Sequence, residues 1–300
     1  MGRVLMSKVE SRARGLAVLV LGLVAVVAAI GLWGLDARPG AAGVVGGMTA
    51  MSVDMDPAGN TATVLGVNSP CVFVHPDAAN GADVVTDVTA LGIPAAFPMI
   101  GYAYSVGYNA TVISVTAADS SFLLNSAQGS SIFAIPDPLP DADGSFAGNA
   151  ADLGEPTTTA ESGSGVLDRL SFHVEANAAA GKYPLTLSNA LHLDPINMPQ
   201  VPLALNSGAI AVDRSCYQGD VDCSNAVNAI DALKILRKTA SLSVAAPVGC
   251  PFLTNAAAGD VDCSGGNANA IDALKVLRFG AGLPVTQIGP EPDACPDIGT

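Results

Sequence analysis

The chain has 300 residues, enough for an export segment and two domains. Charged residues make up 13% of it, acidic residues outnumber basic residues 27 to 13, and the formal net charge at pH 7 is −14. Such an acidic chain repels phosphate backbones, which argues against a nucleic-acid partner, and the scarcity of charge favours an exported β-rich protein over a cytosolic enzyme.

The first 42 residues have the pattern of an export segment. Basic residues between positions 3 and 14 precede an uncharged apolar run over 15–35. Small residues near Ala42 permit cleavage, whereas an uncut run of about 20 apolar residues is long enough to anchor the chain in a bilayer. The sequence leaves signal peptide and membrane anchor open. Either one places the rest of the chain outside the cytoplasm of a bacterium or archaeon, in the medium or on the cell surface, where disulfides persist.

Short alternating segments after a linker over 43–50 predict a mainly β fold, an antiparallel β-sandwich over 51–212. The predicted strands are 62–67, 71–75, 82–91, two strands within 100–117 around a turn at 108–110, 166–176 and 184–193. The region 118–165 is rich in proline and small polar residues and is predicted to be loop. No long amphipathic helix is predicted before residue 229.

Two of these segments resemble cohesin domains. They are GYAYSVGYNATVISVTAA over 101–118 and GVLDRLSFHVEANAAAGKYPLTLSNALHLD over 165–194. The resemblance implies a β-sandwich that binds a protein partner. Carbohydrate-binding modules share such strands, so a carbohydrate-binding protein stays open as an alternative. Its sugar platform would consist of Tyr102, Tyr104 and Tyr108, which share one face of a strand and are otherwise core residues.

An acidic block occurs twice near the C-terminus, as GDVDCSNAVNAIDALKILR over 219–237 and GDVDCSGGNANAIDALKVLR over 259–278. Oxygen-bearing side chains at alternate positions, with a carboxylate at the twelfth, are the pattern with which a loop wraps Ca²⁺. The predicted ligands of the first loop are Asp220, Asp222, Ser224, the backbone carbonyl of Ala226, Asn228 and Asp231. Those of the second loop, which holds one extra residue, are Asp260, Asp262, Ser264, Asn269 and Asp272, with a carbonyl from Gly266 or Asn267.

Each loop leads into a predicted helix with apolar residues at three-residue spacing. These apolar residues are Ile230, Leu233 and Leu236 in the first helix and Ile271, Leu274 and Leu277 in the second. We expect the two apolar stripes to pack on each other across a pseudo-two-fold axis. The basic residues lie away from the stripes and are predicted to contact a partner: Lys234, Arg237, Lys275 and Arg278.

Loop plus exiting helix, twice and with no entering helix, resembles the type I dockerin domain over about 216–283. The resemblance implies that 213–300 is a calcium-dependent domain that binds a cohesin-type domain, of another protein or of another copy of this chain. Bearers of such domains act as connectors in extracellular complexes, often linked to polysaccharide breakdown. The tenth and eleventh loop positions depart from the Ser-Thr type, being Ala229-Ile230 and Ala270-Ile271. A passive surface or adhesion protein rigidified by calcium is a further alternative.

Six cysteines are present, and five of them lie after residue 215. The symmetry of the two blocks favours the disulfides Cys223–Cys250 and Cys263–Cys295. Cys71 and Cys216 would then be free or joined across the domains. The chain contains no CxxC motif, which argues against zinc.

No catalytic motif is evident. The histidines, His75, His173 and His192, have no metal-binding or nucleophile pattern around them, and there is no GxSxG or phosphate-binding loop. The acidic residues within 137–143 lie among prolines, as in a solvated loop. We therefore expect a non-enzyme.

Overall fold

The computed structural model describes residues 47–154, 160–285 and 297–299. The predicted export segment over 1–42 and Cys295 lie outside the described residues. Among the described residues, no helix is long and apolar enough to cross a membrane. Val45–Thr300 forms one compact unit, which holds both the strands and the C-terminal helices.

Two packed sheets form the larger part of this unit. Their strands are β1 (Ala50–Asp54), β2 (Cys71–Val74), β3 (Ala82–Ile93), β4 (Gly101–Gly107), β5 (Ile113–Asp119), β6 (Ile132–Ala134), β7 (Ser145–Asp152), β8 (Gly163–Val174), β9 (Gly181–Leu193), β10 (Pro199–Gln200), β11 (Leu205–Asn206) and β12 (Gly208–Val212). One sheet has the order β11-β1-β3-β8-β5, and the other has the order β2-β12-β9-β4-β7-β6, with β10 beside β9. The pairings are antiparallel except β1 with β11 and β2 with β12.

The core of the sandwich follows the alternation of its strands. On β8, Leu170, Phe172 and Val174 are fully buried, as the period-two pattern predicts. Tyr102 and Tyr104 are 3% and 1% exposed, and their hydroxyls donate to the carboxylate of Asp168. The tyrosines therefore belong to the core, and the sugar platform considered from the sequence does not form on them.

Two predictions about the strands are wrong. The segment 62–67 is not a strand: Thr61 and Val64 form a local turn, and the side chain of Val67 is 86% exposed. Conversely, the expected loop over 118–165 contains β6 and β7. Half of the residues of β7 are alanine or glycine, which have low strand propensity, but the strand is paired on both sides, with β4 and β6. Its non-local pairing decides its conformation.

The C-terminal part contains helices α1 (Ala229–Thr239), α2 (Pro251–Thr254) and α3 (Ala270–Gly280). It has its own small core, which consists of Val221, Ala232, Ile235, Phe252, Val261, Ala268, Ala273, Val276 and Ile298. The predicted fold class, a mainly β antiparallel sandwich with a small C-terminal α domain, is confirmed.

Candidate functional site

The two repeated loops each bring three carboxylates together. Asp220, Asp222 and Asp231 offer one oxygen each, and these oxygens all lie within 4.8 Å of one another. The same holds for the second set, which consists of Asp260, Asp262 and Asp272. Six of the predicted ligands thus converge in two clusters, one in each loop.

The loop backbone is held around these carboxylates by hydrogen bonds. The carboxylate of Asp220 accepts from the amides of Ser224 and Asn225, both at 3.0 Å. Asp231 accepts from the amide of Val221 at 3.0 Å and from that of Asn228 at 2.8 Å. Asn225 has a φ of 65°, the left-handed region that asparagine tolerates better than most residues. Asp231 therefore closes the loop and caps α1 at once.

The remaining predicted ligands of the first loop lie close to one another. The Ser224 hydroxyl donates to the Ala226 carbonyl at 3.3 Å, and the Asn228 amide donates to the same carbonyl at 3.4 Å. Asn228 also accepts from the Ile230 amide at 2.8 Å, as the N-cap of α1.

In the second loop, the Ser264 hydroxyl contacts Asp260 at 3.4 Å, and Asn269 caps α3. The extra residue falls where Gly265 and Gly266 both have positive φ values, of 89° and 112°. A Cβ on either glycine would meet nothing within 4 Å, so the insertion bulges into open space.

The charge of the first cluster requires compensation. Burial is the main cause that raises the pKa of Asp220 to about 7 and that of Asp231 to about 6, and neighbouring carboxylates add to both shifts. In the second loop, burial raises the pKa of Asp272. The donor set consists of carboxylate, hydroxyl, amide and carbonyl oxygens, which are the ligands that Ca²⁺ prefers. The residues present therefore fit a hard divalent cation.

Two of the four basic residues predicted to contact a partner are directed at the loops instead. Lys234 Nζ donates to Asp222 Oδ2 at 2.7 Å, and Lys275 Nζ lies 3.3 Å from Asp262 Oδ2. Both lysines reach the loops because a residue three positions after the capping aspartate lies on the loop side of the helix, and their contact with a partner stays a prediction. Although burial acts to raise the pKa of Asp222, hydrogen bonds led by the one from Lys234 hold it below its ordinary value.

The other two basic residues are exposed. Arg237 donates to the Ser243 carbonyl at 3.0 Å, and Arg278 donates to the Pro284 carbonyl at 2.9 and 3.1 Å. They therefore remain at the solvent-facing surface of α1 and α3.

The predicted packing of the two apolar stripes is also wrong. All six residues are exposed: Ile230 55%, Leu233 54%, Leu236 41%, Ile271 54%, Leu274 55% and Leu277 42%. The residues that enter the core are their neighbours Ala232 and Ile235 on α1, with Ala273 and Val276 on α3. We call the six exposed residues the exposed face.

The rotation of the helices explains this reversal. Asp231 and Asp272 are the third residues of α1 and α3, and both are fixed in their loops by hydrogen bonds. Because each helix is pinned there, the residues one and four positions later point to the core. The larger aliphatic residues are consequently left outside.

Two disulfides attach the first loop to its surroundings. Cys223 is bonded to Cys250, the pairing that the repeat symmetry favours, and Cys71 is bonded to Cys216, which joins β2 to the chain just before the loop. The Phe73 amide also donates to the Asn225 side chain at 3.0 Å, a contact that the sequence did not predict. The predicted Cys263–Cys295 bond ends outside the described residues and stays a prediction.

The side chains considered for catalysis contact neighbouring groups in the folded chain. His75 pairs with Asp213 at 2.6 Å, and His173 pairs with Asp83 at 2.7 Å. His192 is buried against the Phe97 carbonyl, and burial lowers its pKa. In the loop 137–143, carboxylates accept backbone amides of β7.

Comparison with known proteins gives structural matches alone. No family model matches the sequence, and no curated protein matches it. Among solved structures, the sixth cohesin of Acetivibrio cellulolyticus scaffoldin B, in complex with a dockerin, is 20% identical, with a TM-score of 0.39 over 55% of this chain and 99% of that one. A Clostridium thermocellum cohesin–dockerin complex is 11% identical, with a TM-score of 0.40 over 58% of this chain and 98% of that one. A cohesin module of a Clostridium perfringens family 33 glycoside hydrolase is 12% identical, with a TM-score of 0.39 over 55% of this chain and 97% of that one. These TM-scores are below 0.5, so the matches carry no argument about the fold. The β-sandwich is shown by the strand pairing of this chain itself.

Proposed function

We propose that this is an exported, non-catalytic interaction protein. Its C-terminal module, stabilised by Ca²⁺ in both loops, docks onto a cohesin-type β-sandwich domain through the exposed face. The observation that carries the proposal is the exposure of six aliphatic side chains in two equivalent sets, directly beside two convergent carboxylate clusters.

The exposed face has the properties of a protein-binding surface. Large apolar side chains that recur at helical spacing and stay in solvent mark interaction sites more often than chance exposure does. Arg237 and Arg278 lie next to Leu236 and Leu277 in sequence and are themselves exposed. Such a surface combines an apolar centre with a basic rim.

Calcium would set both the shape and the charge of this surface. Pinning Asp231 and Asp272 in the loops orients α1 and α3, so that an ion holding these carboxylates also holds the face. Residues 216–300 carry nine acidic and five basic side chains, hence −4. Two Ca²⁺ ions would bring that sum to zero and leave the arginines as the dominant local charge.

We propose that an acidic β-sandwich binds the exposed face, and the first candidate is the sandwich of a second copy of this chain. Residues 51–215 carry sixteen acidic and three basic side chains, hence −13. This charge complements the basic rim and would steer association. Head-to-tail assembly of copies is the result, and an acidic cohesin-type domain of another chain is the other outcome to test.

Sedimentation velocity of the full chain tests the proposal. We expect oligomers in calcium that dissociate in EDTA, and a monomer in calcium for the double variant Leu233→Asp/Leu274→Asp. Val248→Asp is the control, since Val248 is 72% exposed in the same module but outside the exposed face. A wild-type chain that stays monomeric in calcium, and binds none of a panel of purified cohesin modules by calorimetry, contradicts the proposal.

The alternatives are less well supported. A carbohydrate-binding role lacks its expected platform, because Tyr102 and Tyr104 are buried. A passive surface protein has no use for a duplicated apolar face. Polysaccharide is therefore proposed as a connection through the docking partner, and a glycan array with the full chain would test direct binding.

A further inference from the structure

The first carboxylate loop differs from the second in the residue at its turn. Counting from Asp220 and Asp260, the sixth residue is Asn225 in the first loop and Gly265 in the second. Both have a positive φ, of 65° and 89°. Both donate their backbone amides to the first aspartate of the loop, at 3.0 and 2.9 Å. Since the two backbones do the same and glycine suits a positive φ best, the asparagine side chain requires a reason of its own.

The Asn225 side chain reaches the sandwich. β2 is the outermost described strand of its sheet, and such an edge presents backbone groups that no further strand pairs. The Phe73 amide of β2 donates to Asn225 Oδ1 at 3.0 Å. In the second loop, a Cβ built on Gly265 would meet no described atom within 4 Å. The contact with the sandwich at this position therefore belongs to the first loop.

The sandwich also holds the entry to the first loop. Cys216 is bonded to Cys71, the first residue of β2, and the Lys182 ammonium of β9 donates to the Cys216 carbonyl at 3.1 Å. Tyr217 packs against a cluster of this disulfide and the buried alanines of β12. The Tyr217 carbonyl accepts the amide of Asp220, the first predicted ligand, at 3.1 Å. The first loop is thus attached to the sandwich at its entry and at its sixth residue.

We propose that the sandwich pre-organises the first loop for Ca²⁺, so that the first site binds the ion more tightly than the second. This inference rests on the proposed function, because it takes both loops to be calcium sites. A loop that is already fixed in its bound shape loses less conformational freedom when the ion binds, and rigidity is one of the properties that set calcium affinity. By thermodynamic reciprocity, calcium in the first loop strengthens its attachment to the sandwich by the same factor. Asn225 is then a positioning residue, since its side-chain oxygen binds Phe73.

Calcium titration of the full chain by calorimetry tests the difference between the sites. We expect two ions, and Asn225→Gly should weaken the tighter site by about tenfold, the lower end of what residues that orient metal ligands contribute. The weaker site of the same molecule is the internal control and should not change. The variant should fold, because glycine is the residue that the second loop has at this position. Asn225→Asp should bind at least as tightly as the wild type, because a carboxylate can accept from the Phe73 amide and aspartate tolerates a positive φ.

Hydrogen exchange at the Phe73 amide distinguishes a lost attachment from a loop that is merely looser. Calcium should slow this exchange in the wild type by up to about tenfold, the factor expected for the affinity, and should not slow it in Asn225→Gly, where the acceptor is gone. The Phe172 amide, in the middle of the sandwich, is the control and should exchange alike in calcium and in EDTA. If Asn225→Gly keeps the wild-type affinity at its tighter site, or if exchange at Phe73 does not respond to calcium in the wild type, this inference is overturned while calcium-dependent docking stands. A chain that binds no calcium overturns both.

Discussion

Replacing Ile235 with alanine tests which side of α1 holds the module together. Ile235 is fully buried in a core of nine residues that includes Phe252 and Val276. Truncating a buried isoleucine to alanine removes about 2–5 kcal/mol, through lost burial and the cavity left behind. A module with so small a core has little stability to lose. We therefore expect Ile235→Ala to unfold α1 and its loop at far lower denaturant concentrations.

The matched variant is Ile230→Ala, the same substitution on the same helix. Ile230 is 55% exposed, so that little burial is lost. Alanine is also a better helix former than isoleucine, which offsets part of the loss. The free energy of unfolding should therefore change by less than about 0.5 kcal/mol.

Guanidinium unfolding of the full chain in saturating calcium, followed by helical circular dichroism, measures both variants. Most helical residues outside the sandwich lie in α1 and α3, so the signal reports on the module. If Ile230→Ala is as destabilising as Ile235→Ala, the rotation of the helix described above is wrong, and the packing expected from the apolar stripes is restored.

Two further predictions concern ionisation and covalent links. In EDTA, the module should lose stability as the pH rises from about 4 to about 7. The reason is that Asp220 and Asp231 have folded-state pKa values of about 7 and about 6, above their ordinary value, so that protonation favours the folded state. Calcium should abolish this loss in thermal melts, and a melting temperature that rises with pH in EDTA would contradict the prediction. Replacing Cys71 and Cys216 with serine opens a loop of 145 residues and should lower the free energy of unfolding by about 5 kcal/mol. The denaturant midpoint measures this loss, and an unchanged midpoint would show that the junction is held by its other contacts.

The carboxylate clusters could be predicted from the sequence because their geometry is local. Asp220, Asp222 and Asp231 lie within twelve residues, and their alternation alone places the side chains on the inside of one loop. The pairing of Cys223 with Cys250 could be favoured from the sequence because the two repeats place their cysteines at corresponding positions. Strands such as β3 and β8 were recognisable from their β-branched and aromatic residues.

The exposed face and β7 could not be predicted in the same way. Periodicity identifies a stripe on a helix but does not say whether that stripe meets the core or a partner. The hydrogen bonds of Asp231 and Asp272 determine which side of each helix faces the core, and these bonds form only in the folded loop. β7 lacks a strand signal because its neighbours, and not its own side chains, supply its stability.

Part of the net charge of −14 lies in the interior of the protein. Among the described residues, twelve acidic side chains are buried, of 27 in the whole chain. Some are neutralised by the protein itself, as Asp87 is by Arg169. Others converge in the two loops, where burial and neighbouring carboxylates raise the pKa values of Asp220, Asp231 and Asp272, and there a divalent cation would fit as the counter-charge. With calcium bound at the proposed sites, such a chain would gain stability, and it would lose that stability when calcium is withdrawn at neutral pH. Such a dependence would suit the exported interaction protein proposed above.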